Sequence, residues 1–208
     1  PNLQVITNAQ AGALVFDERR CTGIRFRRGG REEVASASRE VVLCGGTYNS
    51  PQLLQVSGVG PGEHLRALGI PVHHDLPGVG HNLADHFGAR IKHRVRGEVS
   101  MNQLSRFPRV VPEVVKYVLF GNGALTFGVT SAMVFAHSRE GLASPDLQLS
   151  FTPATPRNEA QGALEREPGM TVTVLPARAE SRGPVMARSP DPYEYPAVNP
   201  NYLEDEAD

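Results

Sequence analysis

The chain has 208 residues, enough for one large domain or two small ones with a real core. Its 21 basic and 22 acidic side chains leave a formal net charge of -1, so bulk charge offers nothing to nucleic acid or an acidic membrane. A hydrophobic content of 40% and a charged content of 21% are those of an ordinary globular protein, and no apolar run approaches the roughly 18 residues that a membrane-crossing helix needs.

In chain order, residues 3–7 (LQVIT), 13–16 (ALVF), 22–27 (TGIRFR) and 31–36 are short and rich in β-branched or aromatic side chains. Asp17-Glu18-Arg19-Arg20 and Arg28-Gly29-Gly30-Arg31 separate the last three, which predicts an antiparallel meander. Residues 40–44 (EVVLC) are apolar without alternation, the pattern of a strand buried on both faces of a parallel sheet. Gly45-Gly46 ends that strand. Ser50 is placed to cap a helix with Pro51 at its first position, and Gly58 to stop it. A second short helix over 63–68 ends at Gly69, and residues 75–88 read as a loop.

The texture changes after Gly88. Ala89, Ile91, His93 and Val95 alternate with Arg90, Lys92, Arg94 and Arg96, a half-exposed strand with a cationic outer face. Residues 109–120 predict a helix with Pro112 in its first turn. Residues 131–137, 146–152 and 170–175 predict an antiparallel sheet, with a loop over 153–168. The division expected is residues 1–88 and residues 89–208.

The 21 glycines and 17 prolines follow no short period, which excludes collagen-like and solenoid architectures. Cys21 and Cys44 form no metal or redox spacing, and two isolated thiols suit a reducing compartment, so a cytoplasmic location is expected. The chain opens at Pro1 without Met, directly in strand-like sequence and with no leader pattern, which points to a beginning that lies upstream.

No phosphate-binding fingerprint survives inspection. Gly58-Val59-Gly60 and Gly78-Val79-Gly80 both lack the last glycine of G-x-G-x-x-G, and no P-loop occurs. Ser57 has neither glycine of a G-x-S-x-G elbow, so it is read as structural. His73, His74, His81 and His86 cluster without a metal-ligand pattern and are read as structural or surface residues. The cationic face at Arg90, Lys92 and Arg94 is read as a solvated surface. Gly45 and Gly46 are the most informative pair, since glycines beyond a buried strand admit a ligand or a neighbouring strand.

Gly46-Thr47-Tyr48-Asn49-Ser50-Pro51-Gln52-Leu53-Leu54-Gln55-Val56-Ser57-Gly58-Val59-Gly60 resembles the second signature of the GMC (glucose–methanol–choline) flavin oxidoreductases. The opening NLQVITNA (2–9), the stretch from Gly60 to His86 and SRGPVMARSPDPYEYPAVNPNYL (181–203) are similar to segments of the same family. The resemblance implies an α/β (α+β) fold: a partial Rossmann-like FAD-binding domain with a β-meander, and an antiparallel-sheet substrate-binding domain. It implies FAD as cofactor, a small-molecule alcohol as substrate, and hydride transfer from the CH–OH carbon to flavin. It leaves the electron acceptor open and calls for neither a nucleic acid nor a membrane span. It places the backbone around Ala11 toward the adenine, Gly45 and Gly46 near the cofactor, and Asn82, Asp85 and His86 in a loop closing over the flavin.

Two family elements have no counterpart here. The family's G-x-G-x-x-G and its C-terminal catalytic histidine segment are missing, and none of the seven histidines matches that motif. No catalytic residue is therefore assigned. The expectation is an internal piece of an FAD-dependent alcohol oxidoreductase; the alternative is a truncated, inactive product without stable FAD binding.

Overall fold

The computed structural model describes residues 2–128, 130–158 and 162–208, which form two compact units. The first comprises Pro1–Asp85 with Glu180–Glu206, and the second His86–Ala179 with the last two residues. Residues 180–206, grouped by sequence with the second domain, thus fold with the first. A long-range pairing joins them: Leu83 and Gly183 exchange backbone hydrogen bonds, both 2.8 Å long, and hold the late segment on the early one.

In the first unit, β1 (Ala9–Asp17), β2 (Arg20–Arg28) and β3 (Arg31–Ser36) form the expected antiparallel meander in the order β1-β2-β3. Its second turn needs its glycines, since Gly29 and Gly30 both have positive φ, 55° and 79°. The strand expected over 3–7 is absent, as those residues lie outside every sheet. The buried strand expected over 40–44 is also absent. The segment pairs with no described strand, and Val42 is 72% exposed. An apolar run becomes a buried strand only when other strands flank it, and none of the described residues supplies them.

Helix α1 (Gly46–Val56) starts five residues before the Pro51 start expected from sequence. Gly45 is its N-cap, and Ser50 makes no side-chain cap. Gly46 enters the helix at φ 76°, a left-handed conformation that a side chain makes costly, so the glycine pair rather than Ser50-Pro51 sets the start. Pro51 lies inside the helix, and Gly58, at φ 83°, ends it as expected. Two short parallel strands, β4 (Val59–Gly60) and β5 (His74–Asp75), flank α2 (Gly62–Ala67). Leu65, Ile70, Val59, Phe26, Leu83, Val185 and Ala187 are the buried apolar residues of this unit.

The second unit is built on an antiparallel sheet of β6 (Ala89–Arg94), β7 (Ala132–Ala136), β8 (Leu147–Thr152) and β11 (Gly169–Pro176), in the order β6-β11-β8-β7. These are the strands expected from sequence. Strand β6, at the edge of this sheet, is exposed along its length rather than half-buried. Within the expected loop lies a short hairpin of β9 (Pro156–Asn158) and β10 (Ala163–Leu164). Helix α3 (Met101–Leu104) carries a capping box between Ser100 and Gln103, and α4 (Val110–Phe120) occupies the expected helix, stopped by Gly121 at φ 63°. The last strands, β12 (Val185–Met186) and β13 (Ala197–Val198), pair with each other in the first unit.

Candidate functional site in the first unit

A cavity of the first unit measures about 610 Å³, within the range of small-ligand sites. One wall is the start of β1, including Ala9, Gln10 and Ala11. A second is the extended segment Val42–Gly45 running into α1, with Asn49, Ser50, Gln52 and Leu53. A third comes from far along the chain, Pro192, Tyr193, Glu194 and Tyr195.

Strand β1 is an edge strand, with no strand paired on its second side among the described residues. The Leu14 amide donates to the Ser57 hydroxyl at 2.8 Å, and that hydroxyl donates to Leu53 O at 2.6 Å. Ser57 therefore ties β1 to the end of α1, which is the structural role its sequence context indicated. Gly45 is constrained by its own helix: a Cβ there would lie 3.2 Å from Asn49 Cβ and from Ser50 N. Gly46 has open space around it and is required by its positive φ alone.

The late segment is held in two ways. Gln52 donates to Glu194 O, and Arg27 stacks over the Tyr193 ring with its guanidinium carbon 3.6 Å from the centroid. The hydroxyl of Tyr193 approaches the position a Cβ would take on Gly12 to 3.0 Å. These wall residues were missed from sequence, because nothing in DPYEYP signals a return to residues 9–12. Glutamines at 52 and 55 buried on a helix that offers Leu53 and Leu54 also run against the apolar pattern.

Of the residues expected at a cofactor site, Ala11 and Gly45 come together on this cavity, with Gly46 next to it. Asn82, Asp85 and His86 are not among the lining residues. Asn82 takes φ 62° in the 80–85 loop, and Asp85 accepts from the Tyr202 hydroxyl. That bond is the leading cause that raises the Tyr202 hydroxyl above its ordinary pKa, with desolvation adding to it. His86 falls in the other unit. Two other histidines have defined neighbours: His73 stacks on Phe16 with ring centroids 4.4 Å apart, and His64 lies 3.0 Å from Ala187 O. Among the described residues no group of His, Cys, Asp and Glu could hold a metal ion.

An edge-strand backbone, a glycine turn into a helix and a polar-apolar third wall suit the flat, partly polar body of a nucleotide cofactor better than a metal or a nucleophile. Comparison with known proteins agrees. Residues 1–88 match the family described as GMC oxidoreductase. The whole chain aligns with the oxygen-dependent choline dehydrogenase of Burkholderia cenocepacia (strain HI2424) at 36% identity, and with that of Burkholderia pseudomallei (strain K96243) at 37%. In each case it spans 37% of the relative's length. Among solved structures, formate oxidase from Aspergillus oryzae RIB40 superposes over 100% of this chain and 41% of its own, with a TM-score of 0.86 and 25% identity. Pyridoxine 4-oxidase from Mesorbium loti shares the fold, with a TM-score of 0.75 at 20% identity over 96% of this chain and 35% of its own. Residues 1–88 thus belong to the GMC oxidoreductase family, and the whole chain aligns with choline dehydrogenases over part of their length.

Proposed function

We propose that this chain is part of an FAD-dependent oxidoreductase that oxidises a small alcohol at its CH–OH carbon. The carrying observation is the cavity that sets the Ala11 strand edge opposite the Gly45 turn into α1. Ala11, Gly45 and Gly46 would hold the nucleotide half of FAD, and Asn82, Asp85 and His86 would act in the loop that closes over the flavin. FAD when bound supplies a two-electron acceptor for the substrate hydride. The chain's own residues would bind, orient and exclude water, and none is assigned to proton transfer. A quaternary-ammonium alcohol such as choline is the substrate class that the relatives' names suggest. Division near residue 88 into cofactor and substrate domains, with residues 180–206 returning to the first, and a reducing, cytoplasmic setting for the free thiols Cys21 and Cys44, belong to the same reading. No described helix is long and apolar enough to cross a membrane.

A second reading is that these 208 residues alone retain no FAD. It is favoured by the exposed apolar side chains of Leu3, Val5 and Val42 on segments that have no strand partner among the described residues.

The test is the visible spectrum of the protein purified from its intact gene, followed by anaerobic addition of choline or simple primary alcohols. A flavin band that an alcohol bleaches is expected. A protein that stays colourless after incubation with FAD would overturn the proposal. The isolated 208-residue chain, measured in parallel, tests the second reading: a yellow, alcohol-oxidising chain would sink it.

A further inference from the structure

We propose that Gln55 is a positioning residue that couples α1 to the loop carrying Asn82 and Asp85. Its importance for cofactor binding rests on the function proposed above. Gln55 is fully buried in the last turn of α1. Its Nε2 donates to Val185 O at 2.9 Å, and its Oε1 accepts from Ala187 N at 2.7 Å. One planar side-chain amide, with a donor and an acceptor, thus pairs with β12 as the peptide group of a neighbouring strand would.

That same stretch holds the loop. Val185 N donates to Gly80 O at 2.6 Å, and Gly183 bonds reciprocally with Leu83. The packing leaves no space for a side chain at Gly80, where a Cβ would lie 2.3 Å from both Gln55 Nε2 and Val185 O. A chain of direct contacts therefore runs from α1 through Gln55 and residues 183–187 to residues 80–83. The other end of α1 is the Gly45-Gly46 turn at the cavity, so one helix links the cavity wall to the loop that carries Asn82 and Asp85. The pattern QLLQV conceals this, because the helix buries its glutamine and leaves Leu53 and Leu54 half-exposed.

Amide hydrogen exchange on the full chain tests the coupling without flavin. In Gln55→Leu, exchange at Leu83, Gly183 and Ala187 is expected to accelerate by roughly tenfold or more, while the amides of β1–β3 keep their rates. Gln55→Glu supplies a pH signature that a purely volumetric role lacks. An ionised carboxylate only accepts, so Val185 O loses its donor; a protonated one donates and accepts, as the amide does. Protection at the same amides, corrected for intrinsic rates, should be low at neutral pH and recover on acidification. Uniform acceleration across the unit, unchanged exchange, or a pH-independent Gln55→Glu would overturn the proposal. If Gln55→Leu fails to fold, the Gln55→Glu profile decides. A wild-type protein that never binds flavin would sink the proposed function and leave this coupling standing.

Discussion

Arg27 on β2 lies over the ring of Tyr193, its guanidinium carbon 3.6 Å from the ring centroid, and so ties the third wall of the cavity to the meander. The pair joins an exposed cation to a ring that also contacts Gly12. Removing the charge by Arg27→Met should cost about 0.5–1 kcal/mol, the range of an exposed cation–π contact. A double-mutant cycle with Tyr193→Leu, read by urea unfolding, checks it. Additive effects would show that the stacking carries no energy.

Glu113 accepts from the Ala124 amide at 2.7 Å and from Lys116 Nζ at 2.6 Å. The backbone bond, then the lysine, lowers its pKa below the ordinary 4.5. A depressed carboxylate contributes stability that is present above the unfolded pKa and lost as pH falls through the folded one. The junction of α4 with the following turn should therefore loosen on acidification below about pH 4.5, and Glu113→Gln should flatten that acid limb. Unfolding midpoints between pH 3 and 6 for both proteins decide the matter.

Tyr202 gives the opposite sign. Its pKa is raised, first by the hydrogen bond to Asp85. Its contribution is present below the unfolded value near 10 and is lost as pH rises through the folded one. Tyr202→Phe should loosen the 80–85 loop at neutral pH and remove the alkaline component, both readable by amide exchange at Leu83.

Asn102 is fully buried and joins three groups of the second unit. Its Nδ2 donates to Thr155 Oγ1 and Glu167 O, both at 2.6 Å, and its Oδ1 accepts from Thr155 N at 3.0 Å. Asn102→Leu should cost roughly 1–3 kcal/mol for each buried partner left unpaired, measured by denaturant unfolding of the second unit. A loss under about 0.5 kcal/mol would mean that water replaces the side chain.

Two glycines separate conformational strain from collision. Gly46→Ala should cost about 1–2 kcal/mol, since φ is 76° but the space is open. Gly183→Ala should be far worse, because its Cβ would fall 1.8 Å from Asn199 O, a backbone atom. Equal thermal midpoints for the two variants would contradict this ranking.

The elements that were legible in sequence are those whose formation depends on local chemistry. Gly29-Gly30 makes a turn whichever strands it joins, Gly58 and Gly69 stop helices because they admit positive φ, and alternation marked β6. Local spacing also carried the family signature over residues 46–60. Residues 40–44 failed because burial of a strand is supplied by its neighbours, and Ser50-Pro51 failed because Gly46 had already turned the chain into the helix. What only the tertiary structure decided are the long-range pairings: Tyr193 against Gly12 and Arg27, Gln55 against Val185 and Ala187, and Leu83 against Gly183. A planar amide or an aromatic ring has no sequence period that names its partner. Its partner is whichever backbone the fold brings within hydrogen-bonding or stacking distance.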